Sequence, residues 1–131
     1  MTGQEKEISI RQKIEKAKST IDQIHNLLNF GYYDTAINRI YYACFYAVQA
    51  LLIYKDITPK SHKGVLNMFY LHYIKEGIIA ENFGKHYSRI FDQRMMVDYD
   101  DGLLPDSEMA NGLLSISVDF IKLEDEFLSE K

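Results

Sequence analysis

Six of the ten tyrosines in this 131-residue chain fall within the 23 residues of Tyr32–Tyr54. Most of the other residues in this stretch are apolar. A Tyr side chain combines a large apolar ring with a hydroxyl that needs a hydrogen-bond partner when it is buried. The stretch is therefore expected to form a buried helix that borders something polar: a pocket, a wet subunit interface, or buried Arg, Asp and His side chains.

Apolar residues recur at helical spacing in five segments, and no segment alternates in the way that a strand bounded by turns would. The expected helices cover about residues 7–29, 33–55, a third segment that begins at Thr58–Pro59 and stops before Gly77, 85–99, and a fifth that begins near Asp106 or Ser107. Residues 75–84 are expected to connect the third helix to the fourth. The second helix is apolar nearly all round, with Tyr41 on its core-facing line, so it should be the central helix. The predicted fold class is all-α: one domain over residues 1–131, an up-and-down four-helix bundle with an additional fifth helix.

Charge and composition exclude several classes of protein. The net charge is −4, which argues against general nucleic-acid affinity, and no DNA binding is expected. Residues 55–94, with 7 basic and 4 acidic side chains, carry +3, whereas residues 95–131, with 2 basic and 10 acidic, carry −8. A local phosphate-binding patch in the middle of the chain is therefore allowed, although oppositely charged solvated faces explain the pattern equally well. The longest uncharged run has 15 residues, too short for a membrane span of about 20, and there is no signal-peptide pattern, so we expect a cytoplasmic soluble protein.

Metal and cofactor chemistry find no support in the motifs. A di-iron bundle needs paired Glu-x-x-His motifs, and this chain offers a single Asp22-x-x-His25 instead. One cysteine and scattered histidines give no zinc spacing, and there is no Gly-rich phosphate loop and no G-x-S-x-G motif. We therefore expect no metal and no cofactor.

The main chemical candidate is the segment from Arg94 to Tyr99. Arg94 falls on the apolar stripe of the fourth helix, where an Arg must be paired or must face a wet pocket. Asp98 follows one turn later, within reach of Arg94, and Tyr99 comes next. Arg is also the preferred fork for phosphate. Two interpretations stay open: an ion pair between Arg94 and Asp98 that holds the helix to tyrosine hydroxyls, or a ligand site.

Two further segments carry polar groups that suit binding. Lys60 and His62 stand at the start of the third helix, where cations and backbone donors form an anion site, or where the helix is simply capped with His62 exposed. Asn38, Arg39 and Tyr42 lie in the apolar second helix, either as polar contacts across the bundle or a dimer, or along an exposed edge.

Three short motifs appear in order along the chain: Asn-Arg-x-Tyr-Tyr-Ala at 38–43, Lys-Ser-His at 60–62 and Arg-x3-Asp-Tyr at 94–99. In their order and spacing they resemble HEPN-domain proteins, the higher eukaryotes and prokaryotes nucleotide-binding domain, and in particular its small stand-alone prokaryotic members. The resemblance covers nearly the whole chain. It implies a helical bundle that usually forms a homodimer, a cleft for RNA or a nucleotide, and in many members a metal-independent ribonuclease site marked by Arg-x(4–6)-His. It also implies a toxin–antitoxin-like module in which a minimal nucleotidyltransferase is the partner.

Carried over residue by residue, the motif Arg is Arg94, but no His follows it anywhere in the chain. The position for His after a four-residue spacer holds Tyr99, which is a poor base at neutral pH. His62 could supply the imidazole if the fold brings it beside Arg94. The tentative catalytic set is therefore Arg94, Tyr99 and His62, and the ligand-binding set adds Asp98, Lys60, Asn38 and Tyr42.

Two hypotheses about function follow. The first is a HEPN-type nucleotide- or RNA-binding protein with a degenerate ribonuclease motif. The alternative is a non-catalytic helical dimerisation or interaction module, in which Arg94, Asp98 and Tyr99 form a structural network.

Overall fold

A computed structural model describes residues 2–99 and 105–131, and for residues 96–99 it describes the backbone alone. Within these ranges the chain is helical, and no strand is found. The elements are α1 (Gly3–Asn29), α2 (Tyr33–Tyr54), α3 (His62–Phe69) with a π-helical continuation (Tyr70–Ile74), α4 (Glu81–Tyr99) and α5 (Ser107–Ser129). The predicted all-α, five-helix class is confirmed. The sequence Asp100-Asp101-Gly102, which is expected to end the fourth helix after residue 99, lies outside the described residues.

Helix α2 is the centre of the bundle, as its composition predicts. It packs against each of the other four α-helices, and twelve of its 22 residues are buried. By length and composition alone α2 could span a membrane, but 67% of its most apolar window is buried inside the bundle, as in the core helix of a folded domain. Cys44 lies in the middle of α2, is fully buried, and is the single cysteine of the sequence. Burial raises the pKa of its thiol.

The predicted starts of α3 and α4 are wrong. Helix α3 begins at His62 rather than at Thr58–Pro59, because Ser61 caps it by accepting a 2.9 Å hydrogen bond from the backbone N–H of Gly64. Helix α4 begins at Glu81, so part of the expected 75–84 connection is helical. Gly84 lies inside α4 because the helix passes close to Ile74: a Cβ at Gly84 would stand 2.9 Å from that side chain.

Other helix ends follow local capping chemistry. Asp106 caps α5 through a 2.8 Å hydrogen bond from the Met109 N–H to its side chain, which confirms the predicted start. Helix α1 begins earlier than periodicity indicates, at Gly3, because Thr2 accepts a hydrogen bond from the N–H of Glu5. A polar first turn is invisible to apolar periodicity.

The core between α2, α4 and α5 is aromatic but also holds buried polar groups. The ring of Phe120 is fully buried against Phe83, Phe69 and Tyr87, with centroid distances of 5.4, 5.6 and 6.3 Å. Glu124, one turn further along α5, is also fully buried, and neither of its carboxylate oxygens has a hydrogen-bond partner among the described residues. Burial raises the pKa of this carboxyl well above its usual range and so favours the uncharged acid in the core.

Candidate functional site

Arg94 lies against the tyrosines of α2. Its guanidinium carbon is 4.9 Å from the ring centroid of Tyr41 and 5.3 Å from that of Tyr42. Both distances are within the roughly 6 Å over which a cation is attracted to an aromatic ring. The side chain is half-buried, so packing between α4 and α2 restricts the orientation of the guanidinium.

His62 reaches the same tyrosines from the first turn of α3. The Ser61 cap sets where α3 begins and so brings His62 beside α2. The Nδ1 atom of His62 lies 2.8 Å from the hydroxyl of Tyr41, and its ring stacks on Phe45 with centroids 4.4 Å apart. Arg94 and His62, which stand on different helices, therefore both contact Tyr41.

Burial and charge set the protonation of this cluster. Burial lowers the pKa of His62, and the positive charge of Arg94 lowers it further, so the imidazole is neutral at pH 7. Burial raises the pKa of Tyr41 to about 12, although Tyr87 and Arg94 oppose the shift, so its hydroxyl keeps its proton. A neutral imidazole has one donor and one acceptor nitrogen. When Tyr41 donates to Nδ1, the Nε2–H of His62 is left as a donor; in the other tautomer Nε2 is left as an acceptor.

The Arg94→Ala change is expected to raise the pKa of His62, because it removes one of the two causes that lower it. The titration of the His62 ring protons by NMR measures this pKa. His86 is the internal control, because burial and Arg89, rather than Arg94, lower its pKa to about 4. A His62 titration that is the same in both proteins would mean that the charge of Arg94 does not act on the His62 imidazole.

Two other residues of the expected binding set lie on the same side of α2. Tyr42 is half-buried, and its ring centroid is 5.7 Å from that of His62. Asn38 is half-buried one turn before Tyr42. Arg39 is also half-buried, with its guanidinium carbon 5.7 Å from the Tyr42 ring centroid, so this part of α2 is not an exposed edge.

The remaining predicted residues are not brought into this cluster by any described contact. Lys60 is exposed and precedes the Ser61 cap. Asp98 and Tyr99 belong to the last turn of α4, but their side chains lie outside the described residues. The Arg94–Asp98 ion pair and the role of Tyr99 therefore stay predictions.

Sequence reasoning missed Tyr41 and Phe45 as members of the cluster. The helical pattern places Tyr41 in the core, and its side chain is indeed fully buried. Its hydroxyl nevertheless meets His62 at the edge of the core, and Phe45 follows one turn later as the surface on which His62 stacks. The rule that a buried Tyr hydroxyl needs a polar partner was the available signal.

Neither a metal-ligand cluster nor the pocket beside α3 provides a second site of comparable chemistry among the described residues. Among the residues whose side chains are described, no three His, Cys, Asp or Glu side chains could share a metal ion. A surface pocket of about 480 Å³ lies between α3, its π-helical continuation and α4, lined mainly by apolar residues that include Leu66, Tyr70 and Leu71. This pocket contains no charged side chain, so the polar cluster around Tyr41 is the stronger candidate.

Comparison with known proteins finds a family that spans this cluster. The model of the HEPN domain matches residues 10–126, which include both His62 and Arg94. A protein of Methanocaldococcus jannaschii named "Putative toxin" is 35% identical over 122 residues, or 93% of this chain and 83% of the relative. A "UPF0332 protein" of Thermotoga maritima is 39% identical over 95 residues, or 72% of each chain. A second M. jannaschii protein named "Putative toxin" is 36% identical over 90 residues, or 69% of this chain and 67% of the relative.

Proposed function

Because the chain belongs to the HEPN domain family, as its motifs predict, we propose that it is a HEPN-type protein that binds RNA or a nucleotide around Arg94 and His62. One observation carries the proposal: these two side chains, from different helices, both contact Tyr41. The guanidinium carbon of Arg94 is 4.9 Å from the centroid of the Tyr41 ring, and Nδ1 of His62 is 2.8 Å from the Tyr41 hydroxyl. The pair unites a permanent cation with a neutral imidazole at the edge of the bundle. Two relatives bear the name "Putative toxin", which supports a toxin-like role in a toxin–antitoxin module.

The chemistry of the cluster suits a phosphate group. The guanidinium has a planar fork of donors that matches phosphate oxygens and stays charged at every physiological pH. In the tautomer that accepts from Tyr41 at Nδ1, the imidazole adds one hydrogen-bond donor, and because it is neutral near pH 7 it can also exchange a proton. Binding is the function that these groups support directly.

Cleavage of RNA makes a further demand. A metal-independent ribonuclease needs a base for the 2′-hydroxyl and an acid for the leaving oxygen. The family motif has a His after Arg94, and this sequence lacks it. The one imidazole in the described part of the cluster is that of His62, which comes from α3. Tyr41, with its pKa of about 12, is too weakly acidic to lose its proton at neutral pH and act as the base. We therefore propose binding as the primary activity, with His62 as the group on which any cleavage depends.

Arg94→Ala is expected to weaken the binding of a short single-stranded RNA by about tenfold or more, since a charge-assisted contact to phosphate is lost. Fluorescence anisotropy with a labelled RNA measures the affinity, and denaturing gels of the same samples report cleavage. Arg89→Ala is the matched control, because Arg89 is an exposed Arg on the same helix. Equal losses in the two variants, or an unchanged affinity in Arg94→Ala, would remove Arg94 from the site.

The packing of Arg94 over two tyrosine rings also favours a second candidate function, an interaction module in which the cluster is structural. In that case Arg94→Ala lowers the melting temperature or shifts the sedimentation coefficient and leaves nucleotide and RNA binding unchanged. The same purified variant therefore separates the two functions.

We propose in addition that the protein acts in the cytoplasm as a homodimer whose partner is a minimal nucleotidyltransferase antitoxin. The support is family membership and the names of the two relatives. A nucleotidyltransferase gene beside the gene for this chain, and co-purification of the two products, are the observations that bear on it.

A further inference from the structure

A row of cations continues from Arg94 along α2, outside the cluster around Tyr41. The guanidinium of Arg39 lies 5.7 Å from the centroid of the Tyr42 ring. One turn further along α2, the ammonium groups of Lys16 and Lys13 from α1 lie 4.6 and 5.8 Å from the centroid of the Tyr46 ring. The Tyr42 and Tyr46 rings are themselves 6.1 Å apart, so the row is continuous. We call Lys13, Lys16, Arg39, Tyr42 and Tyr46 the cation strip.

The cations of α1 divide into two groups. Lys6 pairs with Asp56, and Arg11 and Lys18 both pair with Asp125. In the described residues, by contrast, Lys13, Lys16 and Arg39 of the cation strip form no ion pair with a carboxylate. Among the described residues, the strip therefore holds concentrated positive charge that no carboxylate pairs with.

The ammonium groups of Lys13 and Lys16 lie close together despite their like charge because both contact the ring of Tyr46. Burial lowers the pKa of Lys13, and the neighbouring charge of Lys16 lowers it further, which indicates two ammonium groups kept close together. The face of Tyr46 attracts both groups. A bound anion would relieve their mutual repulsion, and a preorganised pair of cations loses little side-chain freedom when it binds one.

We propose that the cation strip binds the phosphodiester backbone of a single-stranded RNA that extends from the Arg94 site along α2 toward α1. The inference rests on the proposed function, because it takes the same ligand outward from Arg94. From Arg39 to Tyr46 the strip spans roughly 10 Å of helix at 1.5 Å per residue, which suits several successive phosphates better than one. A second copy of this chain fits less well, because a two-fold axis through the strip would bring its like charges together.

The salt dependence of RNA binding tests the strip. The double variant Lys13→Ala/Lys16→Ala is expected to bind a single-stranded RNA of about a dozen nucleotides roughly tenfold more weakly at low salt. It should also reduce the slope of log affinity against log salt by about 1.4, since each phosphate contact on a single strand contributes about 0.7. Tyr46→Leu keeps both lysines but removes the ring that positions them, and it should cost about two- to fivefold in affinity.

Lys75→Ala/Lys122→Ala is the matched control, because it removes two exposed lysines outside the strip. An equal loss in this control, or an unchanged slope in Lys13→Ala/Lys16→Ala, would overturn the proposal. So would a change in sedimentation with RNA affinity unaltered, which would assign the strip to a second copy instead. A nucleoside triphosphate serves as a second probe. If Lys13→Ala/Lys16→Ala weakens its binding as much as it weakens RNA binding, the strip binds a compact polyphosphate and the proposed RNA path is wrong.

The outcomes separate this inference from the proposed function. RNA binding that depends on Arg94 but not on Lys13 and Lys16 would refute the proposed role of the strip and leave the Arg94 site standing. Binding that depends on the two lysines but not on Arg94 would refute the Arg94 site and retain the strip. If the unmodified protein does not bind RNA, both are wrong.

Discussion

Glu124→Leu is expected to stabilise the protein, and to do so more at pH 7 than at pH 5. The wild-type chain buries a carboxyl group that has no hydrogen-bond partner among the described residues, at a cost of roughly 1–3 kcal/mol. Leu has a similar volume and removes that cost. The expected gain in the free energy of unfolding near pH 5 is therefore about 2 kcal/mol.

The dependence on pH follows from the raised pKa of Glu124. Above the ordinary pKa of a Glu side chain the unfolded chain releases this proton while the folded protein retains it. The stability that comes from protonated Glu124 is therefore fully present below that value. It is lost as the pH rises toward the folded-state pKa, by up to about 1.4 kcal/mol per pH unit. The Leu variant lacks this loss, so its advantage grows with pH.

Urea unfolding at the two pH values measures the effect. His86, whose pKa of about 4 makes the folded protein lose stability in acid, is present in both proteins and cancels in the difference. Glu126→Leu, an exposed position on the same helix, is the matched control and should change the free energy of unfolding by less than about 0.5 kcal/mol. An advantage of Glu124→Leu that is the same at both pH values would mean that the folded protein does not retain the Glu124 proton above pH 5.

Phe120→Ala is expected to destabilise the protein by roughly 3–5 kcal/mol. Phe120 is fully buried, and its ring touches aromatic side chains from α3 and α4, so truncation leaves a cavity where three helices meet. Thermal or urea unfolding of the purified variant measures the loss. Phe30→Ala serves as the control because Phe30 is 76% exposed and should cost little. A small effect at Phe120 would indicate that neighbouring rings close the cavity.

The helices could be predicted where the signal is local and repeated. The apolar seams of α1 and α5 and the Asp106 cap depend on residues a few positions apart, so periodicity and capping rules find them. The start of α3 could not be predicted in the same way, because Thr58–Pro59 and Ser61 both offer good caps. The prediction places Gly84 in a connection because the reason for this glycine, a close approach to the side chain of Ile74, lies in another element.

The site was predictable residue by residue but not as an arrangement. Arg94 stood out because a cation on an apolar stripe needs a partner, and His62 because it begins a helix. Nothing in the sequence relates the start of α3 to the end of α4, so their meeting at Tyr41 depends on how both helices pack on α2. The same packing gives Tyr41 its second role, because its ring lies in the core while its hydroxyl contacts His62 in the cluster.

The buried thiol of Cys44 gives the chain a built-in reporter of its own opening. A thiol reagent needs an exposed thiolate, and burial denies it both access and ionisation. Because the sequence has no other cysteine, any labelling must come from molecules in which α2 has left its neighbours. The labelling rate under native conditions therefore measures how often the central helix is transiently released, without any engineered probe.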